Sequence, residues 1–146
     1  MNTPRKRTAS ELLRRSYSEE EVAAVYELGR FCLENGDLRK AESIFVGLTE
    51  VAPDFAAAWL GVAYVRVHAK EWDAAIAASR QALRVNPGYA EALLFLTACL
   101  LSAQDYNSAG TYLGEFGDLI ESGQVENPIA LRFYKAQLAR YQARAS

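Results

Sequence analysis

Residues 34 positions apart along this chain keep the same character, and a chain repeating at that interval has very few ways to fold. Pro53 and Pro87 stand one such step apart. The same step leads from Ala41 to Ala75 and Ala109, and from Val25 to Trp59 and Leu93. It also leads from Leu28 to Val62 and Leu96, and from Gly29 to Ala63 and Thr97. Leu38, Trp72 and Tyr106 make a further column, each just after a polar or glycine-containing turn.

Local signals show what one unit contains. Ser18 followed by Glu21 has the spacing of a capping box, in which the serine oxygen and the glutamate carboxylate satisfy free N–H groups at a helix start. Val22, Val25 and Leu28–Gly29 then recur at helical spacing, and Asn35-Gly36-Asp37 supplies a turn. A second helix carries Leu38, Ala41, Ile44, Phe45 and Leu48 and stops before Pro53. The spacing therefore predicts an all-α solenoid of helical hairpins, each too small to bury its apolar face without a neighbour.

The columns resemble the tetratricopeptide repeat family, whose pattern sets a Trp-like residue, Leu-Gly, Ala, Phe, Ala and Pro along each unit. Leu28-Gly29, Ala41, Phe45 and Pro53 carry the likeness in residues 22–55. Trp59, Ala63, Ala75, Ala82 and Pro87 carry it in 56–89. The third unit, 90–123, keeps Leu93, Leu96, Ala109 and Leu113, while Thr97 stands for the glycine and Glu121 for the proline. The small residues are expected to let helices approach, with Trp59 and Phe45 filling the space between hairpins.

The flanks complete a single domain over 18–146. Asn127 reads as an N-cap with Pro128 at the first helical position, opening a capping helix over about 127–143. Its Leu131, Tyr134, Leu138 and Tyr141 form one stripe suited to covering the third repeat. Residues 1–17 read as a flexible basic tail and a short N-terminal helix using Ala9, Leu12, Leu13 and Tyr17.

Composition excludes more than it selects. Over 146 residues the net charge is −2, which gives no general attraction to nucleic acid or an anionic membrane. Five cations against Glu11 place +4 on the first fifteen residues, leaving −6 on the remainder. No apolar run is long enough to span a membrane, and no apolar core follows the basic start as a secretory signal requires. That Arg- and Ser-bearing start bears only a weak likeness to an organelle transit peptide. Cys32 and Cys99 are far apart, lack metal-type spacing and read as small buried hydrophobes in a reducing compartment. The expectation is a cytoplasmic protein.

Catalytic groups are scarce. His68, the single histidine, ends a helix without a base or ligand beside it. Glu19, Glu20 and Glu21 at a helix start favour the positive end of its dipole rather than a metal. No glycine loop of phosphate-cradling type occurs. The reading is no enzyme and no cofactor or metal.

The family resemblance implies a concave groove built from the first helix of each repeat. Carried over by position, its lining comprises Ala23, Tyr26, Arg30, Leu33 and Glu34, then Ala57, Leu60, Tyr64, Val67 and His68, then Glu91, Leu94, Ala98, Leu101 and Ser102. From these, Tyr26, Arg30, Leu33, Leu60, Tyr64, Val67, Leu94, Ala98 and Leu101 are the candidate peptide-binding residues. Members that grip the acidic tails of heat-shock chaperones use Lys, Arg and Asn. The corresponding places here hold Tyr26, Arg30, Gly61, Glu91 and Phe95, so such a clamp is disfavoured.

In overall layout the chain resembles the class II, translocator, chaperones of bacterial type III secretion. That resemblance implies a cytoplasmic groove holding an apolar segment of a secreted translocator, and a homodimer through the N-terminal helix. Leu12, Leu13 and Tyr17 are the candidates for self-association, in which the groove could also be filled by the chain's own N-terminal segment. The alternatives are a general scaffold or assembly adaptor, and a needle-subunit chaperone holding an amphipathic helix.

Overall fold

Three hairpin turns, again 34 residues apart, set the geometry of the stack. The computed structural model describes residues 17–144. The expected basic tail and N-terminal helix, with Leu12 and Leu13, lie outside the described residues. The described residues form seven helices: α1 (Glu19–Glu34), α2 (Leu38–Val51), α3 (Ala56–His68), α4 (Trp72–Val85), α5 (Ala90–Ser102), α6 (Tyr106–Glu121) and α7 (Pro128–Ala143). They make an all-α solenoid. Helices α1–α2, α3–α4 and α5–α6 pair as hairpins, each hairpin packs on the next, and α7 packs on α5 and α6.

Each hairpin turn places one residue in the left-handed region: Gly36 (φ 78°), Lys70 (φ 61°) and Gln104 (φ 62°). The backbone then closes in the same way each time. Gly36, Lys70 and Gln104 donate to Leu33, Val67 and Leu101 carbonyls at 3.1, 2.9 and 3.1 Å. The next residues, Asp37, Glu71 and Asp105, donate to Cys32, Arg66 and Leu100 carbonyls at 2.9, 2.8 and 2.9 Å. This doubled pattern satisfies the last free carbonyls of one helix while aiming the chain into the next. Only the first turn has glycine, so the signal visible at Asn35-Gly36 is hidden in the other two.

Asp37 and Asp105 then cap α2 and α6, accepting from the Lys40 and Ser108 amides at 3.2 Å each. Glu71 holds the equivalent place before α4 but makes no cap hydrogen bond. It pairs with Arg66 at 3.7 Å, and Arg66 also reaches Glu42 at 3.2 Å.

Phe45 is the hinge of the packing between the first two hairpins and has no exposed surface. Its ring lies against two glycines. A Cβ at Gly29 would sit 2.6 Å from Phe45 Cε1, and one at Gly61 would sit 2.6 Å from Phe45 Cδ1. The helices meet here because neither glycine carries a side chain. Trp59 is half-buried, and its indole N–H donates to the Pro53 carbonyl at 2.9 Å, tying α3 back to the preceding loop.

The larger core runs through α3 to α7 around Leu60, Leu93, Leu96, Leu100 and Phe116. Phe116 stacks on Tyr134 with centroids 5.2 Å apart, and a Cβ at Gly110 would meet the Tyr141 hydroxyl at 2.7 Å. Leu28 and Trp72 belong to repeat columns yet are 53% and 50% exposed, so the periodic pattern overstates their packing. Cys32 and Cys99 are buried and unpaired, and burial pushes the Cys99 thiol up.

Candidate functional site

Helix α1 packs on α3 and α7 on α5, and residues of α3, α5 and α7 together line an open apolar concavity. Between α5 and α7, roofed by Tyr64 from α3, lies a cleft of about 690 Å³. Its apolar wall comprises Leu94, Phe95 and Ala98 from α5, Ile129, Ala130 and Phe133 from α7, and Val125 from the connection. Ile129 and Phe133 are 65% and 58% exposed, which leaves two large apolar side chains in water.

Helix α7 stands where it does because of its first turn. Asn127 accepts from the Ile129 amide at 2.8 Å and the Ala130 amide at 3.4 Å, and Pro128 occupies the first helical position, where an N–H is not needed. Opposite, the Tyr64 ring meets the Phe95 ring edge-on, with centroids 4.7 Å apart. The Tyr64 hydroxyl donates to a carboxylate oxygen of Glu91. These contacts hold the α3 and α5 walls in one arrangement.

The cleft is electrostatically one-sided. Burial, then the hydrogen bond to Glu91 and its charge, push the Tyr64 phenol far above its ordinary value. Burial and the Glu91 charge do the same to Tyr89, and raise Tyr26. Three phenols thus feel the charge of Glu91, which Arg30 opposes at Tyr26 and Tyr89. Tyr26 itself packs edge-on against Phe55 at 5.4 Å and tilted against Phe45 at 5.7 Å. Arg30 is exposed and lies 3.6 Å from Glu27 and 3.7 Å from Glu34 on its own helix.

The candidate lining residues divide into three groups. Tyr64, Leu94 and Ala98 meet at the cleft. Tyr26, Leu33 and Val67 are half-buried and Arg30 is exposed, and none of the four lines that cleft. Leu60 has no exposed surface and Leu101 only 4%, so neither offers surface to a ligand; both belong to the main core. The reason is that α3 and α5 each have a helix on both sides, which turns groove-side positions into core. Tyr17, the one described self-association candidate, is 42% exposed.

Ile129, Phe133 and the 124–127 connection line the cleft from outside the positions that the repeat pattern marks. A signal existed: Ile129 and Phe133 are four residues apart and fall beside the Leu131–Tyr134–Leu138–Tyr141 stripe, a second apolar strip on one helix. Among the described residues no cluster of three His, Cys, Asp or Glu side chains could hold a metal, and no helix is long and apolar enough to cross a membrane.

Stacked helical hairpins with an open cleft on the face of their first helices define a repeat protein of the solenoid class. Two models of the tetratricopeptide repeat match residues 33–82 and 66–115, together more than half of the sequence, and the chain belongs to that family. No curated protein matches it in sequence. Among solved structures, the Yersinia enterocolitica type III secretion chaperone SycD, in complex with a peptide of the translocator YopD, is similar at 17% identity and TM-score 0.74. That match covers 86% of this chain and 93% of SycD. A type III secretion complex from Aeromonas hydrophila is 16% identical at TM-score 0.76, covering 91% of this chain and 86% of that one. The TPR2B domain of yeast Sti1, in a pHsp70 complex, is 16% identical at TM-score 0.74, covering 84% of this chain and 97% of that one. At these identities the likeness is one of fold, and the chain resembles the translocator chaperones in that respect.

Proposed function

We propose that this chain is a protein-binding module that holds an apolar segment of a client in the cleft between α5 and α7, with no catalytic step. The observation that carries this reading is the cleft itself: an open volume of about 690 Å³ with Ile129 and Phe133 left exposed on its rim. Side chains of that kind, placed around a concavity, suit apolar anchors of a bound segment. A client with exposed apolar segments aggregates, and masking one such segment reduces the hazard.

Within that class the reading is a cytoplasmic chaperone for a secreted, translocator-type client. Its support is the fold shared with SycD, which is described with a translocator peptide, and the compact layout of three hairpins and a closing helix. The lack of a basic clamp supports it against an acidic-tail adaptor: Arg30 lies outside the cleft, paired with Glu27 and Glu34, and the cleft itself is lined by Glu91.

The test is recovery of the full chain from its native cell extract with peptide mapping of whatever accompanies it. A secreted protein held through a short apolar segment, and released by Leu94→Asp with Phe133→Asp, is the expected result. A folded double variant that keeps its client would remove the cleft from consideration.

A further inference from the structure

We infer that the cleft selects a client segment in which a lysine or arginine stands next to the apolar anchors. This deepens the reading above and rests on it. Among the described residues, Glu91 and Glu126 are the charged ones that line the cleft, and both are exposed. Glu91 lies on the first turn of α5 and Glu126 just before α7, the two elements that bound the cleft, and Leu94 and Phe95 line it with them.

Among the described residues no cation lines the cleft. Arg30, on α1, feels the Glu91 charge from outside the cleft, but it also pairs with Glu27 and Glu34, so that group of three carries a net negative charge. Arg140 lies further along α7 and donates to Gln137 at 3.3 Å. The Tyr64 hydroxyl donates to Glu91 without cancelling its charge, and that charge reaches Tyr26 and Tyr89, where Arg30 opposes it only in part. An acidic segment entering here meets like charge in a partly desolvated space, which is costly; a basic one meets complementary charge. The Tyr64, Phe95 and Phe133 rings add faces on which a guanidinium or ammonium group can rest.

The experiment selects displayed random short peptides on the full chain, then measures the best by fluorescence anisotropy against wild type, Glu126→Lys and Glu91→Gln/Glu126→Gln. The expected outcome is enrichment of Lys and Arg beside paired apolar residues. Affinity should fall about fivefold or more in the double variant and weaken with added salt. Gln at 91 still accepts from Tyr64, and Glu126 makes no hydrogen bond or ion pair among the described residues; folding of both variants is checked by circular dichroism. Selected peptides with no cationic excess, or equal affinity for all three proteins, overturn the charge inference and leave the apolar cleft standing. A selection yielding no peptide sensitive to Phe133→Asp overturns the cleft as a peptide site as well.

Discussion

The ring of Tyr64 meets the ring of Phe95 edge to face, centroids 4.7 Å apart, and its hydroxyl donates to Glu91 one turn earlier on α5. One side chain thus ties the middle hairpin to the third and forms the roof of the cleft. Structure and candidate function meet at this residue, which makes it a poor choice for separating the two.

Phe133 separates them better. It is 58% exposed on the cleft rim, so Phe133→Asp should change stability by no more than about 0.5 kcal/mol. Client affinity should fall about tenfold or more, because a charge replaces an anchor. Thermal melting together with a binding titration reads both; a large loss of melting temperature would show that Phe133 is structural.

Gly61 and Gly47 should respond oppositely to alanine. At Gly61 the new methyl would lie 2.6 Å from the buried Phe45 ring, and about 1–3 kcal/mol of stability should be lost. At Gly47, within α2, nothing lies within 4 Å, and removing a flexible glycine should add up to about 1 kcal/mol. Urea unfolding of the two variants decides it; similar shifts in both would contradict the close approach.

The left-handed turns also differ in chemistry. Lys70 carries a Cβ at φ 61° where Gly36 carries none at φ 78°. Lys70→Gly should therefore stabilise by about 1 kcal/mol, less the added freedom of the unfolded chain. Glu71→Asp should supply the cap that Asp37 and Asp105 provide, a gain of about 0.5–1 kcal/mol offset by loss of the pairing with half-buried Arg66. Chemical denaturation of the single variants would show either gain.

Alkali should weaken the fold through its tyrosines. Tyr64 and Tyr89 hold their protons in the folded state well above 10.0, the ordinary phenol value. Below that pH both states are protonated and the stabilisation is fully present. As pH rises past it the unfolded chain releases protons first, so stability falls with rising pH. Urea midpoints from pH 8 to about 11 should decline, and Tyr64→Phe should decline less steeply. An equal slope in both proteins would place the titration elsewhere.

The repeat, the hairpins and their all-helical class were legible in the sequence because they depend on local chemistry recurring at one interval. Ser18 with Glu21 and Asn127 with Pro128 act within a turn or two of the chain, and both caps form as that chemistry dictates. The family pattern placed Tyr64, Leu94 and Ala98 on the side that becomes the cleft. It placed Leu60 and Leu101 there as well, although packing covers them.

What the sequence determined by itself was the unit: two helices, a turn, and a small residue wherever a neighbour must come close. What the tertiary structure decided was which groove-side positions remain open. Leu60 and Phe133 are both large and apolar, and nothing in their local sequence tells them apart. One is enclosed by helices on either side, and the other stands on α7, where no described helix covers it. Burial is a property of neighbours distant in the chain, so only the assembled stack could assign it.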